Sequence, residues 1–312
     1  MSDAAETQTA NAVLMVRPRR FGSNPETLAS NFFQQPGSGT EIAERARIEV
    51  DRVAVALGAA GVRVEIFAGN HAADTPDEVF PSNWVSFHAD GTAVLYPMLA
   101  PNRRRERRGE LLQALENERG YEIGRIVDLT EHELEGRYLE ATGSLVLDRI
   151  QRVAYACLSP RTHAQALADF AARLGYATLP FHATDERGQA IYHTDVLMSV
   201  GSSLAVVCLE AIHEREAREE VRSRLEASGR ALIELSKAQM HAFAANQLEL
   251  RGRDGPVLAM STEAWGAFTA PQRRKLEAHG AIVAAAIPTL EAYGGGSVRC
   301  MLAEIHLPRR RG

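Results

Sequence analysis

The chain has 312 residues, 45% of them hydrophobic and 24% charged, and a formal net charge of -5, so bulk charge gives no reason to expect nucleic acid or an anionic membrane as partner. Length sets a soft prior of about two domains. Three cysteines make no disulfide framework and fit a reducing cytoplasm, and neither an export signal nor an apolar run of about 18 residues is present.

Residues 1–11 are polar and small and are expected to be disordered, leaving 12–312 as the folded domain. Ala12–Val16 is a short apolar strand pattern ending at Arg17-Pro18, followed by a loop, Phe21–Gln35, rich in Asn, Pro and Ser. From Glu41 to Ala60 apolar residues return at helical spacing, as Ile42, Ile48, Val50, Val53, Val55 and Leu57. Gly61 stops that helix, and Val62–Phe67 alternates as a strand does.

The same order of helix, stop glycine and strand returns four times. The helical patterns Leu111–Arg119, Ala164–Leu174, Arg215–Ser228 and Pro271–His279 end at Gly120, Gly175, Gly229 and Gly280, and each leads into a strand. Successive stop glycines, from Gly61 on, lie 59, 55, 54 and 51 residues apart, the signature of an internal repeat. Two further strands precede the later helices, as in Ser144–Asp148 with Val153–Leu158, and Val196–Val200 with Leu204–Leu209. The unit is therefore ββαβ, and five units predict a radial α/β architecture with one central face, where an ordinary doubly wound sheet would lack the second strand. The basic run Arg103–Arg108 reads as the solvated start of a helix, and Arg309–Arg311 as a solvated end.

Chemistry-bearing residues fall at matching places, 16 to 22 residues past each stop glycine: Asp77 and Asn83, Glu140, His193, Asn246 and Cys300. Equivalent positions of a radial repeat converge on one mouth. A thiol, an imidazole and carboxylates gathered there make a nucleophilic site. Cys300 follows the run Gly294-Gly295-Gly296, whereas Cys157 and Cys208 lie in apolar runs and read as core. Taken singly, Asp77 is also compatible with a turn, Glu140 with a cap and His193 with a structural histidine. His193 and Asp195 make a poor zinc set, with no cysteine pair or HExxH helix to complete it.

The segments Asp77–Trp84, Leu139–Ser144, His193-Thr194-Asp195 and Gly294–Cys300 resemble the guanidino-group-modifying superfamily of the pentein fold, and the likeness runs from Val13 to Cys300. That fold is a fivefold pseudosymmetric α/β-propeller of ββαβ units, in agreement with the repeat. The nearest branch is the amidinotransferase-like proteins of bacterial citrulline use. The resemblance implies Cys300 as nucleophile, His193 as general acid/base, Glu140 as a positioning carboxylate, and Asp77 or Asp195 as partner for substrate N–H groups. It also implies a small-molecule substrate and no metal or organic cofactor. Arginine deiminases carry Asp where this chain has Asn83. An amide has no charge for a guanidinium but can serve a neutral ureido group, which favours citrulline over arginine. Asn246 joins the expected substrate-binding set, and Arg17 or Arg251 is the candidate for the substrate α-carboxylate. A deiminase, a dimethylarginine hydrolase, an amidinotransferase and a non-catalytic binding protein are the alternatives; the oligomeric state stays open, a homo-oligomer included.

Overall fold

Short strands that are apolar on both faces need cover on both sides, and a circular arrangement of small sheets supplies it. The structure is a computed structural model that describes residues 6–310. It contains five three-stranded sheets, each with an antiparallel pair and a third strand parallel to the middle one. In the second unit Val85–Phe87 pairs antiparallel with Thr92–Leu95, and the helix Gly109–Asn117 carries the chain to the parallel strand Arg125–Asp128. The third unit repeats this with Leu145–Asp148, Val153–Cys157, the helix Ala164–Leu174 and Ala177–Phe181. The fourth uses Met198–Val200, Leu204–Val207, Arg215–Ala227 and Ala231–Glu234, and the fifth Leu248–Arg251, Pro256–Ser261, Ala270–His279 and Ala281–Ala285.

The first unit is closed by the other end of the chain. Its middle strand Ala12–Arg17 runs parallel to Arg63–Ala68 after the helix Thr40–Ala59, while its antiparallel partner is Ala303–Glu304. Cys300 thus stands just before an inner strand, as Asn83, Glu140, His193 and Asn246 do in the other four units.

Four stop glycines serve as expected: Gly61, Gly120, Gly175 and Gly229 hold φ of +85°, +73°, +70° and +79°, the left-handed region that ends helices. Gly280 is extended, with φ -170°, and is needed for a different reason. A Cβ there would stand 2.5 Å from the Pro256 carbonyl oxygen. On the long first helix Val50, Val53 and Leu57 are buried as predicted, but Ile48 and Val55 are 53% and 73% exposed and face outward.

One expectation about the ends changes. Residues 1–5 of the expected disordered tail lie outside the described residues, but Gln8 and Ala10 are buried. The Gln8 amide donates to the carbonyls of Leu147 and Val200, both at 2.9 Å, and accepts from the Arg149 N–H. Glu6 pairs with Arg149 at 3.2 Å and Arg152 at 2.6 Å. This segment has few apolar side chains, but it can satisfy strand-end carbonyls that would otherwise be buried unpaired. At the other end Arg309 donates to the Arg119 carbonyl and lies over the Tyr121 ring, and Arg311 is outside the described residues.

Candidate active site

A short turn before each inner strand aims polar groups at the axis. Three of these turns are tight helical ones: Pro81–Asn83, Thr194–Val196 and Val298–Met301. The glycines before Cys300 keep the wall bare: a Cβ on Gly294 would strike Phe80, one on Gly295 would strike Asn31, and one on Gly296 would lie 3.2 Å from the Cys300 sulfur. A small, narrow cavity results, lined among others by Asp77, Asn83, His193 and Cys300.

The Cys300 thiol is 4% exposed and lies 3.3 Å from Asp195 Oδ2. Asn246 donates to the same sulfur at 3.3 Å and to the Asp195 carbonyl at 3.2 Å. Burial and the adjacent Asp195 push the thiol well above its usual range, against the pull of the Asn246 amide. Burial also raises Asp195, against the attraction of His193 and Arg299. The resting thiol is therefore held as S–H, pointed at Asp195 Oδ2.

His193 turns Nε2 to Glu140 Oε2 at 2.8 Å. Burial opposes the charge on Glu140, but Arg161 at 3.5 Å, the His193 hydrogen bond and Arg103 at 3.7 Å outweigh it and hold the carboxyl far below the usual carboxylate range. An ionised Glu140 requires the proton on His193 Nε2, which leaves Nδ1 for the cavity. That atom would stand 2.7 Å from a Cβ on Gly143, so this glycine leaves the imidazole its working space.

Asp77 is buried, accepts from Asn24 at 2.8 Å and Thr27 at 3.3 Å, and lies 3.7 Å from Arg103. Its other oxygen has no partner, and neither does Asp195 Oδ1. All of the predicted residues except Arg17 and Arg251 meet here. Arg17 is half exposed and paired with Asp51 at 2.8 Å, because its strand ends on the outer surface. Arg251 is exposed at the end of its strand and likewise takes no part in the cavity.

Sequence reasoning missed the cations. Arg103 is not part of a solvated face: it is 2% exposed, lines the cavity, and binds Glu106 through Nε at 2.9 Å and Nη2 at 3.0 Å. Its spacing from Glu106, in a run where every other residue is Arg, was the one available signal. Arg161 lines the same cavity, 4.8 Å over the Tyr192 ring, with its Nε unpartnered. Nothing in its local sequence marks it. The loop predicted from Phe21 to Gln35 covers the cavity: Asn31 and Gln34 donate to the Gly294 carbonyl, and Tyr192 donates to that of Gly295 at 2.7 Å.

Fold and cavity are those of the guanidino-group-modifying class. The profile described as N,N dimethylarginine dimethylhydrolase, eukaryotic, matches residues 17–307, and the chain belongs to that family, within the pentein superfamily. Among solved structures the chain is similar to ArgZ, an arginine dihydrolase from the ornithine-ammonia cycle in cyanobacteria, at 17% identity and a TM-score of 0.72. The match covers 96% of this chain and 41% of that one, so the chain spans less than half the length of ArgZ. The N-terminal domain of an ArgZ asparagine-to-serine variant, covalently bound to a reaction intermediate, matches at 17% and 0.71 over 95% of this chain and 99% of its own. The Pseudomonas aeruginosa DDAH, as a cysteine-to-serine mutant complexed with citrulline, matches at 13% and 0.64, covering 95% of this chain and all of its own. These likenesses show the fold. Comparison with curated protein sequences gave no match.

Proposed function

We propose that the chain hydrolyses the ureido group of citrulline to give ornithine, carbon dioxide and ammonia, through a covalent intermediate on Cys300. The observation that carries this reading is the convergence of Cys300, with Asp195 at 3.3 Å, and the His193–Glu140 pair on one small cavity that also presents the amide of Asn83. A thiol is the fitting nucleophile for a carbon deactivated by two nitrogen lone pairs.

As the sulfur attacks, its proton passes to Asp195. The carbonyl oxygen gains charge in front of the Asn83 NH₂, a donor aimed where charge develops. His193, as the imidazolium, gives its Nδ1 proton to the departing ornithine nitrogen, leaving a thiocarbamate on Cys300. Water then attacks that carbon and gives a proton to Nδ1, and Asp195 returns its proton to the leaving sulfur. Carbamate departs and breaks down to carbon dioxide and ammonia. Protons balance over the cycle, and Glu140 keeps the imidazole oriented throughout. Proton transfer of this kind contributes about 100- to 10,000-fold.

Arg161 replaces Arg17 and Arg251 as the cation for the substrate α-carboxylate, since it lines the cavity with a free N–H. A second reading has arginine as the starting substrate, its guanidino group being hydrolysed before the ureido group. The unpartnered oxygens of Asp77 and Asp195 favour it, as acceptors suited to guanidinium N–H groups. No helix of the described residues is long and apolar enough to cross a membrane. The three free thiols fit the cytoplasm. Incubation with citrulline, arginine and methylated arginine, scoring ornithine, citrulline and ammonia, tests the proposal. Ornithine from citrulline is the expected result; turnover of methylated arginine alone overturns it.

A further inference from the structure

We infer that Arg103 is a positioning residue that decides which end of the Asn83 amide faces the substrate, and through it which substrates the cavity favours; the inference rests on the ureido reading above. An asparagine amide has a donor end and an acceptor end of nearly the same shape, so its neighbours choose the orientation. Arg103 Nη1 lies 3.1 Å from the amide oxygen of Asn83. A guanidinium has donors only, which commits that end of the amide to being the oxygen.

Arg103 cannot turn away to release the choice. Its Nε and Nη2 are held by the two oxygens of Glu106, and the whole side chain is 2% exposed. The Asn83 nitrogen is consequently left buried and unpartnered. It would stand 2.5 Å from a Cβ on Gly143, beside the working nitrogen of His193. A group seated there must accept a hydrogen bond. A ureido oxygen accepts, whereas a guanidinium sets N–H against N–H and leaves the buried donor unmet. Failing to pair such a group costs about 10- to 100-fold in selectivity.

The test compares the citrulline-to-arginine ratio of kcat/KM in wild type, Arg103→Lys, Asn83→Asp and the double variant. A lysine is a compact charge that cannot hold Glu106 bidentately and reach Asn83 as well. Arg103→Lys is expected to lower the ratio by about 10-fold or more. In the Asn83→Asp background the ratio should not move, because a carboxylate has no donor end to orient. Equal losses on both substrates in both backgrounds overturn the inference, since they mark a role in shared substrate binding or in folding. Glu106→Gln, which loosens the same guanidinium without changing volume, gives the second route if Arg103→Lys fails to fold. If wild type turns over neither substrate, the ureido reading fails by itself. The inference is then read from the Kd ratio of citrulline and arginine for Cys300→Ala with and without the change at Arg103, and an unmoved ratio overturns it.

Discussion

Asp195 Oδ2 lies 3.3 Å from the Cys300 sulfur, and both side chains are shut away from solvent. The carboxylate accepts the S–H of the resting enzyme and by its charge opposes formation of a thiolate. Cys300 therefore rests as S–H, and under the proposed mechanism this has opposite consequences for reactivity and for turnover.

Asp195→Asn should lower the pKa of Cys300, since it removes the negative charge that helps raise it. Alkylation of the free enzyme at neutral pH by iodoacetamide should speed up, scored at the peptide carrying Cys300. Turnover should fall at the same time, because the proton on sulfur has lost its acceptor. Slower alkylation together with slower turnover would show that Asp195 does not act through the thiol.

Cys300→Ala should lower turnover by at least about 1,000-fold while leaving the far-UV and near-UV dichroism unchanged. Acid-quenched wild type should carry an adduct on Cys300 that mass spectrometry detects. Cys157 and Cys208 are buried in the core, where burial pushes both thiols up to about 12, so changes there should alter stability alone.

Glu140→Gln leaves His193 Nε2 without its carboxylate and Arg161 without the carboxylate it pairs with. A fall in kcat of about 100- to 10,000-fold is expected, because the imidazole has lost the group that orients it. The Tm should drop as well, since breaking a buried charge cluster leaves unpaired charge behind. An unchanged kcat beside a lowered Tm would reduce Glu140 to a structural role.

Acid sensitivity should come from the opposite end of the molecule. Burial works against charge on Glu6, but the His88 hydrogen bond and Arg149 bring its pKa down to about 2; at Glu304, Arg149 and His306 do the same, also to about 2. Unfolded, both titrate near 4.3, so their stabilisation is present above that pH and is lost as pH falls toward about 2. Burial and Arg149 lower His306 to about 4, so the unfolded chain takes up its proton first, and stability is lost between about 6.5 and 4. The Tm should decline across the whole interval, and Glu6→Gln should flatten the part below about 4.3. A decline untouched by Glu6→Gln would mean that the N-terminal segment does not dock on Arg149 in solution.

The repeat was legible because it is local. A helix face followed by a stop glycine is written within some 20 contiguous residues, and five copies betray the architecture before any contact is known. The same regularity brought Asp77, Asn83, Glu140, His193, Asn246 and Cys300 to one place, since equivalent positions of a radial repeat share one end of the axis. What the chain order could not supply is the partner of each group. Arg103 reads as one of a solvated run, and beyond its near neighbour Glu106 it meets Asp77, Asn83 and Glu140 only once the chain is packed. Arg161 meets Glu140 across 21 residues and Ser30 across 131, so no window of sequence holds both contacts. Arg17 has the right chemistry on the wrong face, turned outward to Asp51. Gly280 stops a helix for want of space against Pro256, and not for its φ. Local conformation follows from propensity and patterning over a few residues, whereas charge pairing and amide orientation depend on which side chains tertiary packing desolvates together.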